Sequence, residues 1–223
     1  MRAKTLTKPQ GILFDLDGTV LDTAKDLGET LNYVLSTLDM PSVPYDQYRP
    51  VASHGALGLL KLGLGENWQS YEVEKLRGIF LDYYLNNIST HTDFFAGMAD
   101  TLEMLNQQNI LWGVVTNKPA FLTEVLLTKY PEFKHSKINV SGDTLKVRKP
   151  DPQPLFHACK HMQIDPQQTW YVGDAFRDIE AGNRAGMQTF IANWGYTQDE
   201  LPVEEWQADF IIEQPSELVS IIK

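Results

Sequence analysis

The stretch GILFDLDGTVLDT, residues 11–23, decides the fold of this chain. Its apolar run Ile12-Leu13-Phe14 stops at Asp15, and Asp17 follows two residues later. A short continuous apolar run is typical of a strand that is buried on both faces of a parallel sheet. In open α/β sheets, ligands bind at the carboxyl ends of the strands. The stretch therefore predicts a buried strand that ends on two carboxylates at a ligand site.

Further apolar runs alternate with helical patterns along the chain. Met98, Leu102 and Leu105 recur at the spacing of one helix face, and residues 154–162 and 178–186 also have helical patterns. Strands that alternate with helices of this length predict βαβ units. We therefore expect an α/β fold with a doubly wound parallel sheet, whose other strands are ILWGVVT (110–116), KINVSG (137–142), TWYVGD (169–174) and QTFIAN (188–193).

One segment, from about Thr23 to Asn87, interrupts this alternation because it contains no convincing strand. It has three helical patterns, which begin at TAKD (23–26) and run near residues 52–64 and 71–88. Thr23 and Asp26 have the spacing of a capping box at the start of the first helix. The sequence thus predicts a small all-helical cap domain, residues 23–88, inserted after strand 1 of a core that comprises residues 1–22 and 89–223.

Composition restricts the partners that this chain is expected to bind. With 19 basic and 29 acidic residues the formal net charge is −10, and no run of five basic residues occurs, so neither nucleic acid nor a membrane is an expected partner. The apolar segment that follows the basic start of the sequence ends at Asp15, which is too short for a signal peptide or a membrane span. The single cysteine, Cys159, excludes internal disulfides. We expect a cytoplasmic protein.

Two further motifs place carboxylates or anion-holding groups at strand ends. Asp174 and Asp178 stand four residues apart in GDAFRDIEAG (173–182), where a strand turns into a helix. Oxygen ligands grouped at one sheet edge suit Mg²⁺, which keeps several waters for substrate oxygens. Thr116 ends the strand in VVTNKP (114–119), and its hydroxyl with the following backbone amides, beginning at Asn117, suits an anion.

A basic residue completes the set, although each motif also has a purely structural interpretation. Lys149 directly precedes a proline in VRKPDPQPL (147–155), so its backbone is expected to be extended. Alternatively, Lys149 is an ordinary exposed lysine, Asp178 complements a helix dipole, and Asp17 with Gly18 forms a common turn. Taken singly, these residues leave both interpretations open.

In order along the chain, DLDGT, VVTN, RKP and GDAFRD resemble the four motifs of the haloacid dehalogenase (HAD) superfamily of aspartyl-phosphate phosphatases. The resemblance covers nearly the whole chain, including the helical insert, which is similar to the family's small cap. It implies an Mg²⁺-dependent enzyme that acts on a small-molecule phosphate ester, as a monomer or homodimer. The roles it implies are nucleophile for Asp15, general acid and base for Asp17, phosphate holders for Thr116, Asn117 and Lys149, and metal site for Asp15, Asp174, Asp178 and the backbone carbonyl of Asp17.

The resemblance extends to particular groups within the superfamily. The chain is similar throughout to phosphoglycolate phosphatases, and four stretches look closest to the N-acetylmuramic acid 6-phosphate phosphatases of peptidoglycan recycling, namely NILWGVVTNKP, KPDPQPLFHACK, VGDAFRDIEAGNRAG and WGY. A dehalogenase or sugar-phosphate mutase of the same superfamily stays open. A competing class is a regulatory module that accepts phosphate on an aspartate without turnover, but Asp17 and the helical insert argue against it.

The cap is expected to select the substrate, because a cap closes over the site and contacts the leaving group. In YRPVASHGALGLL (48–60), Arg49, His54 and Gly55 lie in a loop that leads into a helix, and they are candidate substrate contacts. Both candidate substrates carry a carboxylate, which a positive or donor-rich loop suits. The same loop can also be an ordinary helix N-terminus with Ser53 as its cap.

Overall fold

The computed structural model describes residues 8–198 and 201–222, and a six-stranded parallel sheet lies at its centre. The described residues form eight strands, six of which make up this sheet. They are β1 (Gly11–Phe14), β2 (Leu21–Asp22), β3 (Asp93–Phe94), β4 (Leu111–Val115), β5 (Asn139–Val140), β6 (Thr169–Gly173), β7 (Gln188–Ala192) and β8 (Phe210–Ile212). The sheet has the order β5-β4-β1-β6-β7-β8, which confirms the predicted fold class. The parts of the predicted core at residues 1–7, 199–200 and 223 lie outside the described residues.

Strand β1 occupies the middle of the sheet, between β4 and β6. Phe14 pairs with Val114 on one side and with Val172 on the other, so the three strands end at nearly the same level. All four residues of β1 are buried, as its continuous apolar run predicts. The residues that follow these strands therefore meet at one edge of the sheet.

Helices cover both faces of the sheet. They are α1 (Ala24–Ser36), α2 (Tyr45–Tyr48), α3 (Gly55–Leu64), α4 (Val73–Asn86), α5 (Met98–Gln107), α6 (Ala120–Leu127), α7 (Gln153–Met162), α8 (Phe176–Arg184) and α9 (Ser216–Ile221). Ile12 and Phe14 belong to the apolar layer of α5, α6 and α9, whereas Leu13 belongs to that of α7 and α8. Within the described ranges, no helix is both long enough and apolar enough to cross a membrane.

The insert after β1 consists of α1 to α4 and two 3₁₀ segments, Arg49–His54 and Trp68–Ser70. Helix α1 packs against both α3 and α4, and Leu31, Leu59 and Phe80 belong to one buried apolar cluster. The short strands β2 and β3 pair in antiparallel fashion where the insert leaves and rejoins the sheet. The predicted domain bounds at 23 and 88 stay a prediction.

The predicted capping box at the start of α1 is wrong. The Thr23 hydroxyl donates to Asp17 Oδ1 (2.7 Å) and does not cap the helix. The buried Asp26 carboxylate accepts hydrogen bonds from the backbone N–H groups of His91 and Thr92, each at 2.9 Å, and from the Thr92 hydroxyl at 2.7 Å. Both side chains thus bind partners outside α1, which local spacing does not reveal. Asp26 thereby ties α1 to the segment that returns to the sheet.

Candidate active site

The carboxylate of Asp15 lies at the carboxyl end of β1 and is almost fully buried, with 3% of the residue exposed. Its backbone N–H donates to the Val172 carbonyl of the neighbouring strand (2.9 Å), which continues the sheet by one residue. Its Oδ1 atom accepts a hydrogen bond from the Leu16 backbone N–H (2.7 Å) and lies 2.9 Å from Lys149 Nζ. Asp15 is therefore fixed by the sheet on one side and by a buried cation on the other.

Lys149 is a buried lysine that joins two of the predicted acids. Its Nζ lies 2.9 Å from Asp15 Oδ1 and 2.8 Å from Asp178 Oδ1, and it also donates to the Tyr171 hydroxyl (2.8 Å). The Asn117 side chain holds the Lys149 backbone on both sides, because its amide nitrogen donates to the Lys149 carbonyl (2.9 Å) and its oxygen accepts from the Lys149 N–H (3.1 Å). Lys149 is thus not the ordinary exposed lysine of the alternative interpretation.

Three buried carboxylates, those of Asp15, Asp174 and Asp178, offer oxygens that all lie within 4.8 Å of one another. Burial and the repulsion of Asp15 and Asp178 raise the pKa of Asp174 to about 7. Burial and repulsion by Asp178 also raise the pKa of Asp15, although Lys149 opposes this. Lys149 and the neighbouring Arg177 carry two positive charges against three buried carboxylates, and the remaining negative charge with its oxygen donors fits a divalent cation. The three residues therefore form a set that can hold a metal ion.

The side chain of Asp17 points away from these three acids. Its Oδ1 lies 2.8 Å from Lys118 Nζ and accepts a hydrogen bond from the Thr23 hydroxyl (2.7 Å). The turn that separates Asp17 from Asp15 requires glycine, because Gly18 has φ +86° and a Cβ there would collide with the Asp174 carboxylate. Asp17 and Asp15 line the same cavity.

Lys118, which follows Thr116 and Asn117 in the TNK sequence, connects this carboxylate to the helical insert. Its ammonium donates to Asp17 Oδ1 and to the hydroxyl of Tyr84 on α4 (3.0 Å). Burial opposes the charge on Lys118, but Asp17 and Tyr84 outweigh it and hold the lysine pKa above its ordinary value. Burial and the neighbouring Asp17, opposed by Lys118, raise the pKa of Tyr84 to about 12, so its hydroxyl stays protonated at neutral pH.

The insert also reaches the sheet edge through the loop before α3. The Ser53 hydroxyl donates to Asp174 Oδ2 (2.9 Å), and the Arg177 guanidinium donates to the Ser53 carbonyl (2.7 Å). Ser53 therefore does not cap α3. The Arg49 guanidinium donates to the backbone carbonyls of Trp194 (3.1 Å) and Gly195 (3.2 Å). These contacts place the insert directly over the carboxyl ends of β1 and β6.

A cavity of about 660 Å³ lies between the insert and the sheet edge. The predicted site residues that line it are Asp15, Asp17, His54, Gly55, Thr116, Asn117 and Lys149. Asp174 and Asp178 are fully buried beneath it. Arg49 does not line it, because its guanidinium is turned toward the Trp194–Gly195 backbone.

Sequence reasoning missed several residues of this cavity. Lys118, Arg148 and Arg177 lie inside or directly beside the motifs quoted above, so their positions in the chain signalled them. Arg77 and Tyr84 lie on α4, and no motif signals them, because only the packing of the insert decides which face of α4 meets the cavity.

Comparisons with known proteins agree with this geometry. A family model described as haloacid dehalogenase-like hydrolase matches residues 12–192. The chain is 36% identical over 213 residues to the N-acetylmuramic acid 6-phosphate phosphatase of Pseudomonas putida, with 96% of each protein covered. It is 38% identical over 210 residues to the phosphoglycolate phosphatase of Xanthomonas campestris pv. campestris, with 94% of this chain and 95% of the relative covered. A crystal structure from Haemophilus somnus, described as a predicted phosphoglycolate phosphatase, superimposes with a TM-score of 0.85 at 25% identity, and the match covers 98% of this chain and 100% of that one.

Proposed function

Because the chain belongs to the haloacid dehalogenase-like hydrolase family, we propose that it hydrolyses phosphate monoesters through an aspartyl-phosphate formed on Asp15. The names of its relatives support this, since both curated relatives above are phosphatases. The observation that carries the proposal is the position of the Asp15 carboxylate, which is held by Lys149 beside two further buried acids and opens into the cavity. The chain is accordingly a phosphoric monoester hydrolase.

The reaction has two steps, and Asp17 acts as a general acid in the first and as a general base in the second. An oxygen of Asp15 attacks the phosphorus, the ester P–O bond breaks, and Asp17 gives a proton to the leaving oxygen. A water molecule then attacks the phosphorus of the aspartyl-phosphate while Asp17, now a carboxylate, takes its proton. The bond to Asp15 breaks, and inorganic phosphate and the original enzyme are recovered.

The first step requires positive charge, because two like charges about 4 Å apart repel by about 4 kcal/mol in a partly screened site. Lys149 supplies one charge to Asp15, and Thr116 with the amides after it donates to the phosphoryl oxygens. The carboxylates of Asp15, Asp174 and Asp178, with the Asp17 carbonyl, would hold Mg²⁺, which would supply Lewis-acid chemistry that neutralises charge on the phosphoryl group. The fit of the three buried acids to a divalent cation supports this assignment.

For the natural substrate we propose a metabolite phosphate that also carries a carboxylate, with N-acetylmuramic acid 6-phosphate first and 2-phosphoglycolate second. The relatives of Pseudomonas putida and Xanthomonas campestris support these two candidates respectively. We further propose that residues 23–88 are the cap, that the protein works in the cytoplasm, and that it is a monomer or homodimer.

The test is Mg²⁺-dependent release of inorganic phosphate from both candidates, with glucose 6-phosphate as a control ester. We expect Asp15→Asn to abolish release, because an amide is neither a nucleophile nor an adequate metal ligand. A kcat/KM for the muramate ester at least about 100-fold above the others, or about 2.7 kcal/mol of transition-state discrimination, supports the first candidate. The same margin for phosphoglycolate supports the second. Activity of Asp15→Asn like that of the wild type would overturn the mechanism.

A further inference from the structure

The wall of the cavity that α4 forms has no role in the mechanism above. We propose that Arg77 on this wall binds a second anionic group of the substrate, remote from the transferred phosphate, and so selects sugar-sized phosphate esters that carry a carboxylate. This inference rests on the proposed phosphatase function and deepens it, because it assigns the residue that recognises the leaving group of the ester.

The first support is the position of Arg77 on α4. Arg77, Phe80, Leu81 and Tyr84 all line the cavity, and their spacing of i, i+3, i+4 and i+7 places them on one helix face. Tyr84 marks the reacting end of that face, because its hydroxyl contacts Lys118, which in turn contacts Asp17. Arg77 lies seven residues before Tyr84, which is about 10 Å along the helix axis. Arg77 therefore stands at the far end of the cavity from the acid–base residue.

The second support is the charge of the cavity wall. The chain as a whole has a formal net charge of −10, yet the cavity is lined by three arginines, Arg77, Arg148 and Arg177. The two lysines of the wall, Lys118 and Lys149, are already paired with catalytic carboxylates. Arg177 already donates to the Ser53 carbonyl and lies close to the three buried acids, so Arg77 and Arg148 are the guanidinium groups that remain for the substrate.

Arg77 is free to bind a ligand, because its own ion pair is weak. Its guanidinium lies 3.9 Å from Glu74, whose side chain is 87% exposed. Pairs exposed to this degree contribute little to stability. A substrate carboxylate inside the cavity offers Arg77 a bidentate partner in a less hydrated place, which is the geometry that arginine favours.

The third support is the size of the space. In phosphoglycolate only three bonds join the phosphorus to the carboxyl carbon, so these atoms are at most about 4 Å apart. This span is short beside the nearly two helical turns, about 10 Å, that separate Arg77 from Tyr84 at the reacting end of the cavity. A hexose 6-phosphate that carries an acidic group on the opposite side of its ring separates the two groups by roughly 8 Å. Phe80 and Leu81, between the two ends, offer an apolar surface to the carbon skeleton of such a ring.

The test compares two esters that differ only in a lactyl ether group, which carries the remote acid. N-acetylmuramic acid 6-phosphate carries a lactyl carboxylate that N-acetylglucosamine 6-phosphate lacks. We expect Arg77→Ala to lower the ratio of their kcat/KM values by about 10- to 100-fold, because a charge-assisted bidentate contact is lost. Arg77→Lys should restore part of the ratio, since lysine keeps the positive charge but cannot make the bidentate contact of a guanidinium group.

Lys75→Ala is the matched control, because Lys75 is an exposed cation on the same helix that does not line the cavity. It should leave the ratio within about twofold of the wild type. Binding supplies a readout that does not need turnover. In the Asp15→Asn background, the Kd of unhydrolysed N-acetylmuramic acid 6-phosphate, measured by calorimetry, should rise about 10-fold or more when Arg77→Ala is added.

Failure of this inference and failure of the proposed function give different results. If Asp15-dependent release occurs but Arg77→Ala leaves both the ratio and the Kd unchanged, the Arg77 assignment is overturned and the phosphatase stands. Equal losses on both esters also overturn it, because a structural role predicts them. If no ester is hydrolysed, the proposed function fails, and the binding measurement still decides whether Arg77 recognises the acid.

Discussion

Two buried lysines, Lys149 and Lys118, give Asp15 and Asp17 separate positively charged partners. Lys149 lies 2.9 Å from Asp15, and Lys118 lies 2.8 Å from Asp17. A buried charge is costly unless it is paired and hydrogen-bonded, so this cost keeps each lysine in contact with its aspartate. The proposed nucleophile and the proposed acid–base residue thus have different cationic partners, although only one residue separates them in the chain.

We predict that Asp17→Asn slows turnover and traps the phosphoenzyme. An amide cannot give a proton to the leaving oxygen, and it cannot take one from the attacking water, whereas Asp15 remains able to accept the phosphoryl group. Rapid-quench kinetics and intact-protein mass spectrometry measure the trapped species. Asp82→Asn, an exposed change on α4, is the control and should turn over normally. Unimpaired hydrolysis by Asp17→Asn would remove Asp17 from the acid–base role.

Among the elements, α4 connects the insert to the chemistry. Its cavity face begins at Arg77 and ends at Tyr84, whose hydroxyl binds Lys118. A helix is rigid over this distance, so a movement of the insert displaces both ends of the face together. The proposed substrate contact at Arg77 and the Tyr84 contact with Lys118 are therefore carried by one rigid element.

We predict that Tyr84→Phe is more damaging than Tyr83→Phe. Tyr84→Phe removes one of the two acceptors of the buried Lys118 ammonium, which should lower the free energy of unfolding by about 1–3 kcal/mol. It should also reduce kcat/KM, because Lys118 and Asp17 lose a fixed neighbour. The Tyr83 ring stacks on Tyr33 within the insert, and the Phe ring preserves that contact, so we expect less than about 0.5 kcal/mol for Tyr83→Phe. Urea denaturation measures both values, and equal losses would contradict the importance of the Lys118 contact.

Over the whole molecule, the sheet brings together negative charges that the folded chain alone does not balance. Asp15, Asp174 and Asp178 are close and buried, and the pKa values of Asp15 and Asp174 are raised, so the folded protein binds protons at these two residues more tightly than the unfolded chain does. A group whose pKa is raised by folding contributes stability below its unfolded pKa and loses it as the pH rises through its folded pKa. For Asp174 that loss extends from its ordinary value of 3.8 to about 7.

We predict that Mg²⁺ raises the melting temperature, and more at pH 8 than at pH 5.5. Above pH 7 most of Asp174 is ionised in the folded protein and adds repulsion that the cation relieves, whereas at pH 5.5 the proton on Asp174 competes with the cation. Differential scanning fluorimetry with and without Mg²⁺ measures the shift. Asp174→Asn should reduce the shift at both pH values, and a shift of the wild type that does not depend on pH would contradict the electrostatic account.

Much of the fold was predictable because its signals are local. The apolar runs of β1, β4, β6 and β7 were recognised within one or two residues of their bounds, since a buried strand needs a continuous apolar stretch. Strand β8 was missed, because it has only three residues at the edge of the sheet and its Ile211 is exposed. Thr23 and Asp26 were misread as a capping box because their partners, Asp17, His91 and Thr92, belong to other segments.

By itself, the sequence determined how the main strands alternate with helices, and it determined that Asp15, Thr116 and Asp174 lie at strand ends. It could do so because burial, periodicity and turn chemistry depend on residues that are neighbours in the sequence. Only the tertiary structure decided which side chains meet across the cavity. Lys118 and Asp17 are 101 positions apart, and Ser53 and Asp174 are 121 apart. Such contacts, and the face that α4 turns toward the cavity, depend on how the insert packs on the sheet edge. Packing of that kind is a property of surfaces that only the folded chain possesses.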